Sequence, residues 1–386
     1  MTTAAGERHN DAVEPFKNVF HPQAIRLTAE LLGKQDSSFD RKAFVRMAEN
    51  NLEALELKQR SEQIYHALCR HLPADFECAA EIIRAALHPS CDGSAGGVGV
   101  SEEGIRGWMI MPLAEYAGRA GAVDVSTALG LLRELTMRFT SEFGIRHLWL
   151  SHPQQVMTTV SSWVHDENEH VRRLVSEGSR PRLPWGRQLP DFIAHPQATW
   201  HLLEGLRDDP SPYVRKSVAN HLNDNARDHP QLVLDLARQW HRGAPLERQR
   251  LLRHALRNLL KQGHPQALAL YQLDSPQLCA VDLNVLTPEV KMGGELAFDF
   301  RMQSAAAVEQ KLRLDLVLHY QKAKGTLAPK VYRWKDLTLA EGEVHEARRR
   351  HSFRPITTRV YHPGRHSLEI KANGQVIAAA DFQLLP

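Results

Sequence analysis

The sequence repeats one pattern at an interval of 43 residues, and this repeat restricts the possible folds more than any other feature. DENEHVRRLVSEG begins at Asp166 and DPSPYVRKSVANH begins at Asp209, and both contain D-x-x-x-x-V-R, which ends at Arg172 and Arg215. A weaker third copy runs from 249 to 268. Periods of roughly 40–47 residues are typical of arrays of helix pairs that bury their apolar faces only against their neighbours. We therefore predict a helical solenoid with a concave surface. The alternative is an irregular helical domain that contains two similar helices by chance.

The tripeptide HPQ marks recurring helix starts, because a proline in the first turn of a helix loses no hydrogen bond. It begins at His21, His152, His195, His229 and His264. The apolar spacing of DRKAFVRMAENNLEALEL predicts that the N-terminal region is helical as well. We predict a HEAT-like α-solenoid over 16–275, preceded by a disordered extension over 1–15 and interrupted by a small-residue loop over 88–104.

The pattern changes after about residue 276. LRLDLVLHY, from Leu312 to Tyr320, alternates apolar and polar residues as a half-buried strand does. HSLEIKA and QVIAAADFQLL flank Asn373-Gly374, which is a strong signal for a β-hairpin. Several strands separated by turns predict a β-sandwich over 280–386. The predicted fold class is therefore multidomain α plus β, a helical solenoid followed by a small β-sandwich.

Composition excludes several classes of protein. No apolar run approaches the roughly 20 residues that span a bilayer, and the first residues lack the apolar segment of a secretory signal. The four cysteines show no CxxC spacing, which favours a reducing cytoplasm and argues against a structural zinc. Net charge is only +3, but 171–258 holds 15 Lys+Arg against 9 Asp+Glu and 280–386 holds 16 against 12. This asymmetry favours a polyanionic partner, although solvated helix faces with chance clustering would also produce it.

The densest basic segment is VRRLVSEGSRPRLPWGRQLPD, from Val171 to Asp191. Arg173 and Glu177 are four residues apart and share a helix face, where a weak surface ion pair is the simplest interpretation. The prolines then end the helix. The loop that follows carries Arg180, Arg182, Trp185 and Arg187. Arginines interleaved with an aromatic residue are typical of nucleic-acid contacts.

Neighbouring helices carry similar groups. In the aligned repeat, Arg215 and Lys216 match the two arginines of the earlier copy, and the helix continues to Asp224. An earlier helix carries Glu142 and Arg146, again four residues apart. Three acidic residues, each near arginines, are therefore predicted to lie on successive helices along one concave face.

At this point the residues resemble a known family. RFTSEFGIRHLW, VRRLVSEGSRPRLPW and YVRKSVANHLNDNARDHP resemble the AlkC branch of bacterial DNA alkylation-repair glycosylases. The C-terminal RRRHSFRPITTRVYHPGRHSLEIKANG resembles the immunoglobulin-like domain that some members carry. The resemblance implies a monofunctional glycosylase of base excision repair that hydrolyses the N-glycosidic bond of cationic N3-alkylated bases, notably 3-methyladenine and 3-methylcytosine. It implies action on alkylated duplex DNA, without deep base flipping and with no cofactor or metal.

The same resemblance implies roles for individual residues. The family's catalytic acids fall on Glu142, Glu177 and Asp224, and its active-site tryptophan, a substrate-binding residue, falls on Trp185. We expect DNA contacts from Arg146, Arg173, Arg180, Arg182, Arg215 and Lys216. The basic stretch over 330–371, with 10 Lys+Arg against 5 Asp+Glu, predicts an accessory DNA contact by the β-sandwich, although a charged sheet edge would also account for it. A cytoplasmic monomer without membrane contact is expected.

Two other functions compete with this one. Many solenoids only bind, so a non-catalytic HEAT-repeat scaffold for nucleic acid or protein is the alternative. A metal hydrolase could be sought in HDENEH, from His165 to His170, but its histidines are five residues apart and the chain has no HExxH. The histidines of the HPQ units are interpreted as packing residues at helix starts.

Overall fold

The structure, a computed structural model, describes residues 15–91, 99–356 and 359–386. Most of the predicted extension over 1–15 and the centre of the small-residue loop lie outside the described residues. Helices extend to Ala269 and the first strand begins at Leu278, which confirms the predicted fold class of a helical array followed by a β-domain. The chain divides into two compact units, Met1–Asp228 and His229–Pro386. Within the described part of the chain, no helix combines the length and apolar character needed to cross a membrane.

The first unit is helical. Its α-helices are α1 Pro22–Gln35, α2 Arg41–Ala48, α3 Leu57–His71, α4 Phe76–Ala85, α5 Ile110–Ala120, α6 Val125–Thr136, α7 Ile145–Ser151, α8 Pro153–Trp163, α9 Glu169–Gly178, α10 Pro190–Ala194, α11 Trp200–Leu206 and α12 Pro212–Asp228. Throughout the chain, the proline of every HPQ unit is the first residue of a helix, as predicted; at Pro196 that helix is a short 3-10 helix.

The D-x-x-x-x-V-R pattern has the same geometry in both copies. The Arg172 guanidinium donates to the backbone carbonyls of 166 and 167, and Arg215 donates to those of 209 and 210. In each copy the aspartate also accepts a hydrogen bond from the backbone N–H two residues later, at 2.9 Å for Asp166 and 2.8 Å for Asp209. The repeat therefore forms the same local structure in both copies, and this structure fixes the start of α9 and of α12.

The same aspartates join successive repeats. Arg133 of α6 contacts Asp166 at 2.7 Å, and Arg172 of α9 contacts Asp209 at 2.6 Å. Each carboxylate is largely buried, with a side-chain exposure of 7% for Asp166 and 3% for Asp209. Because an unpaired buried carboxylate is costly, these contacts hold neighbouring repeats in one register.

Two glycines let α5 and the start of α7 approach backbone to backbone. A Cβ atom on Gly118 would lie 2.0 Å from the Gly144 carbonyl oxygen, and one on Gly144 would lie 2.1 Å from the Ala114 carbonyl oxygen. Neither contact can be relieved by moving a side chain, so any larger residue must separate the helices. This close packing fixes the turn over 142–144, which carries Glu142.

In the second unit, the described residues form helices followed by a β-sandwich. The helices are α13 Pro230–His241, α14 Leu246–Ala255, α15 Arg257–Gln262 and α16 Pro265–Ala269. The strands are β1 Leu278–Val285, β2 Glu289–Lys291, β3 Glu295–Ser304, β4 Gln310–Gln321, β5 Leu327–Leu339, β6 Val344–Ser352, β7 Gly364–Ala372 and β8 Gln375–Leu385. One sheet has the order β1-β3-β6 and the other has the order β2-β8-β7-β4-β5. Phe298, Phe300 and Phe353 lie in the apolar core of this sandwich.

The predicted hairpin is present. β7 and β8 pair antiparallel, and the turn residues Asn373 and Gly374 both have positive φ, 47° and 81°, as a two-residue hairpin turn requires. The polar residues of the alternating pattern in β4 are not exposed to solvent. Arg313 and Asp315 are buried and form an ion pair at 2.9 Å. A period-two pattern predicts a strand correctly, but it does not show that the polar face is exposed.

Candidate active site

The three predicted acidic residues lie together and are linked by arginines. Arg173 of α9 contacts Glu142 at 2.8 Å and approaches Glu177 at 3.6 Å. Arg180, just after α9, contacts Glu177 at 2.7 Å and binds Asp224 of α12 through two hydrogen bonds of 2.8 and 3.1 Å. Carboxylates and guanidinium groups therefore alternate in one connected cluster, which we call the acid–arginine chain (Glu142, Arg173, Glu177, Arg180, Asp224).

Burial makes this arrangement energetically significant. Burial opposes ionisation of Glu177, but the charges of Arg173 and Arg180 and a hydrogen bond from Ser217 outweigh it and lower the pKa of that carboxyl below its usual value. Burial likewise opposes the charged forms of both arginines, yet the carboxylates raise the pKa of each guanidinium. Glu177 and both arginines therefore stay ionised at neutral pH. The buried guanidinium of Arg146 also interacts electrostatically with the three acids of the cluster.

Buried hydroxyl groups orient Glu177. The Ser217 hydroxyl donates to Glu177 Oε2 at 2.6 Å, and the Ser176 hydroxyl lies 2.9 Å from Ser217 Oγ. Because Ser217 gives its only hydrogen to the carboxylate, Ser176 must donate to Ser217. The two buried serine hydroxyls thus hold Glu177 Oε2 in a fixed position.

His221 contacts the backbone of Ser176. Its Nδ1 is 3.0 Å from the Ser176 carbonyl oxygen, which can only accept, so Nδ1 carries a hydrogen. Complete burial lowers the pKa of His221 to about 4, so the ring is neutral at physiological pH. Sequence reasoning missed Ser217 and His221. The aligned repeats did contain a signal for Ser217, because a polar serine occupies the position at which the earlier copy has the apolar residue Leu174.

The predicted DNA-contacting arginines differ in availability. Arg146 is fully buried; its Nη1 donates to the Gly178 carbonyl at 3.1 Å and its Nε donates to the Arg187 carbonyl. Burial lowers the pKa of Arg146 to about 10, and in this position its guanidinium supports the loop after α9 and does not face solvent, contrary to the sequence-based expectation. Arg173 and Arg180 are held by the acids, and Arg215 is held by carbonyls at the start of its own helix. Arg182 pairs with Asp228 at 2.7 Å near the surface, and Lys216 is exposed.

Trp185 is displayed at the surface in an unusual backbone conformation. Its φ is +65°, in the left-handed region that non-glycine residues seldom adopt, and its residue exposure is 62%. Its carbonyl accepts a hydrogen bond from the Lys58 ammonium. The ring lies at a cleft of about 390 Å³, which we call the Trp185 cleft. Its lining includes Lys58, Glu62, Glu115, Phe143, His147, Trp185 and Arg187.

Metal binding finds no support in the geometry. Among the described residues, no three His, Cys, Asp or Glu side chains are placed to hold a metal ion, and this includes the segment from His165 to His170.

Comparisons with known proteins identify relatives over most of the chain. A family model described as "Uncharacterised protein YhaZ, C-terminal Ig-like domain" matches residues 280–386. "Uncharacterized protein YhaZ" of Bacillus subtilis (strain 168) is 34% identical over 333 residues, which are 86% of this chain and 88% of that protein. The solved structure of Pseudomonas fluorescens alkylpurine DNA glycosylase AlkC, bound to DNA containing an abasic site analog, is 33% identical. That structure superposes with a TM-score of 0.86 and covers 96% of this chain and 99% of its own.

Proposed function

The chain belongs to the AlkC family of DNA alkylation-repair glycosylases, and on this premise we propose that it is a DNA glycosylase of base excision repair. Its substrates are cationic N3-alkylated bases, 3-methyladenine and 3-methylcytosine, in duplex DNA. It is monofunctional, acts without deep base flipping, and needs no metal or cofactor. The observation that carries the proposal is the acid–arginine chain, because it holds three carboxylates in fixed positions within one connected cluster.

Carboxylates in fixed positions suit the reaction. Alkylation at N3 makes the base cationic and a good leaving group, so little acid assistance is needed. The remaining requirements are to stabilise an oxocarbenium-like sugar and to position a water molecule, and preorganised carboxylates do both. A fixed carboxylate in a region protected from water interacts with developing positive charge far more strongly than it would in bulk solvent.

The hydrogen bonds suggest a division of labour between the acids. Both oxygens of Glu177 are occupied, one by arginines and the other by Ser217, so Glu177 supplies fixed negative charge. Glu142 binds Arg173 and the Thr140 hydroxyl through Oε2. No described residue forms a hydrogen bond or ion pair with Oε1, so this oxygen is available to orient the attacking water. Asp224 completes the cluster from α12.

DNA contacts come from the exposed groups. Trp185 stacks on the cationic base, which stabilises the complex by roughly 0.5–2 kcal/mol. Arg182 and Lys216 contact phosphates, and the β-sandwich of 280–386 provides an accessory contact through its basic strands. Replacing Arg350, an exposed residue of β6, with alanine should therefore weaken binding to any DNA sequence to the same extent.

The decisive experiment measures free base released from DNA that carries 3-methyladenine, with and without chelator. We expect release in both conditions, and a loss of about 10²-fold or more when Glu142 or Glu177 becomes glutamine or Asp224 becomes asparagine. Glu204→Gln is the matched control, because its exposed carboxylate pairs with Arg207, to which no DNA contact is assigned. Release of no base by the wild-type protein contradicts the proposal. If such a protein still binds DNA, the non-catalytic scaffold is the correct alternative.

The protein is proposed to act as a monomer in the cytoplasm. Its four cysteines are free, as a reducing compartment favours. Light scattering of the purified chain tests the monomer directly.

A further inference from the structure

Each copy of the repeat carries a ring at the residue before its V-R pair. In the aligned copies this residue is His170 at the start of α9 and Tyr213 at the start of α12. The two rings contact each other edge to face, with their centroids 5.5 Å apart. The interval of 43 residues therefore brings the ring of the later copy onto α9, the helix that carries Arg173 and Glu177.

The backbone at Tyr213 is tied to α9 by two separate contacts. The Ser211 hydroxyl accepts a hydrogen bond from the Tyr213 N–H at 3.3 Å and donates to Glu169 in the first turn of α9. Asp209 accepts a hydrogen bond from the Ser211 N–H at 2.8 Å and is itself bound by Arg172 of α9. The position of the tyrosine relative to α9 is therefore fixed.

The Tyr213 ring packs against the guanidinium group of Arg173, with 4.8 Å between Arg173 Cζ and the ring centroid. At this distance the cation is attracted by the electrons of the ring face. Tyr213 is 38% exposed, whereas the side chains of Arg173 and Glu142 are only 16% and 12% exposed. The ring therefore covers one face of the guanidinium at the edge of the acid–arginine chain.

The hydroxyl of Tyr213 contributes neither charge nor a hydrogen bond to this cluster. Burial raises its pKa, the charge of Arg173 opposes this shift, and the charges of Glu142 and Glu177 add to it, so the hydroxyl is neutral at physiological pH. Among the described residues, none forms a hydrogen bond with this hydroxyl, since the bond at Tyr213 involves only its backbone N–H. Any effect of Tyr213 on the acids therefore comes from its ring.

We propose that Tyr213 is a positioning residue for base release, because its ring holds Arg173 and Arg173 in turn holds Glu142. Arg173 Nη1 lies 2.8 Å from Glu142 Oε2 and donates to the Thr140 hydroxyl at 3.2 Å, so the orientation of this guanidinium determines where the carboxylate points. A carboxylate that orients water is effective only when the residues that support it are locked in place. This inference rests on the proposed function and adds a residue that controls its rate.

Replacing the ring tests the proposal. Tyr213→Leu should lower the single-turnover rate of 3-methyladenine release at saturating protein about tenfold. The protein concentration that gives half of the maximal rate should change by less than about twofold, because the ring is assigned no DNA contact. Tyr213→Phe keeps the ring and should restore the wild-type rate. A leucine variant with the wild-type rate, or a phenylalanine variant as slow as the leucine variant, overturns the proposal.

Tyr271→Leu is the matched control. The Tyr271 ring also packs against an arginine, with its centroid 5.2 Å from Arg253 Cζ, but it lies in the second unit and outside the acid–arginine chain. Its loss should leave the rate at saturating protein unchanged, whereas an equal loss of rate in the two leucine variants overturns the proposal. Rates are compared at a temperature at which circular dichroism shows each variant to be folded, and Tyr213→Met replaces Tyr213→Leu if the latter does not fold.

A double-mutant cycle tests whether the ring acts through Arg173. Arg173→Lys keeps the positive charge but loses the planar fork that binds Glu142 and Thr140 together. In this background, Tyr213→Leu should slow release by less than about twofold, because the group that the ring holds is already gone. A further loss of about tenfold would show that Tyr213 acts independently of Arg173, and this would overturn the assigned role.

The wild-type protein separates this inference from the proposed function. A wild-type protein that releases methylated base at a rate that Tyr213→Leu does not alter retains the function, and only the role of Tyr213 is contradicted. A wild-type protein that releases no base contradicts the proposed function, and the role of Tyr213 is overturned with it.

Discussion

Replacing Arg180 with methionine should destabilise the protein severely, because it leaves two buried carboxylates without a shared cation. The side chain of Arg180 is only 8% exposed, and those of its partners Glu177 and Asp224 are 7% and 14% exposed. Removing one member of a buried ion pair costs about 3–5 kcal/mol. Since a native protein is stable by only about 5–15 kcal/mol, the loss should be obvious in urea denaturation followed by circular dichroism at pH 7.

Arg182→Met is the matched control, two residues along the same loop. Its ion pair with Asp228 has side-chain exposures of 22% and 30%, so solvent screens it and its loss should cost less than about 1 kcal/mol. Equal losses of stability in the two methionine variants would refute the argument that burial of the acid–arginine chain determines its energetic importance.

The pH dependence supplies a second, independent check on the Arg180 variant. The folded-state pKa of Glu177 is lowered, so its contribution to stability is fully present above its unfolded value of about 4.3 and is lost as pH falls through the folded value. The gap in stability between wild type and Arg180→Met should therefore narrow below about pH 4. A gap that stays constant down to pH 2 would show that lost packing, and not an uncompensated charge, causes the defect.

Three further substitutions test other parts of the structure. Ser217→Ala removes a hydrogen bond that lowers the pKa of Glu177, so the acidic limb of the pH–rate profile for base release should move to higher pH, while an unmoved limb would contradict the assigned bond. His221 has a pKa of about 4 when folded and about 6.5 when unfolded, so stability should fall by roughly 3 kcal/mol from pH 6.5 to pH 4, and this slope should flatten in His221→Asn. Gly144→Ala should destabilise the protein by about 1–3 kcal/mol in thermal denaturation, because the added Cβ meets a backbone carbonyl. Gly130→Ala is the control: its Cβ would lie near only the end of a flexible side chain, so the change should be neutral or stabilising by up to ~1 kcal/mol.

Local patterns predicted the fold well because they report local physics. The HPQ units, the Asn373-Gly374 turn and the two D-x-x-x-x-V-R copies each specify a backbone conformation within a few residues. The interval of 43 residues then placed Glu177 and Asp224 on matching helices, and the structure brings them to the same arginine.

Partner choice over long sequence distances was not predictable in the same way. Arg180 could have faced phosphate, but it binds Asp224, 44 residues away. Burial of Arg146 depends on how the loop after α9 folds over it, and burial of Arg313 depends on which side of β4 is covered. Such outcomes are set by tertiary packing, and a single sequence contains no local signal for them.

The bonds between successive repeats also limit how a protein of this kind can change in length. The repeat that begins at Asp166 binds Arg133 of the preceding helix pair through that aspartate and binds Asp209 of the next repeat through Arg172. Duplicating or deleting this whole unit of 43 residues leaves each of these ion pairs with both a carboxylate and a guanidinium. A shorter insertion or deletion within one of these helices rotates one partner of an ion pair away, and the other partner is left as an uncompensated buried charge. Gain or loss of a whole repeat therefore destabilises this array least during evolution, and smaller changes in length are confined to its loops.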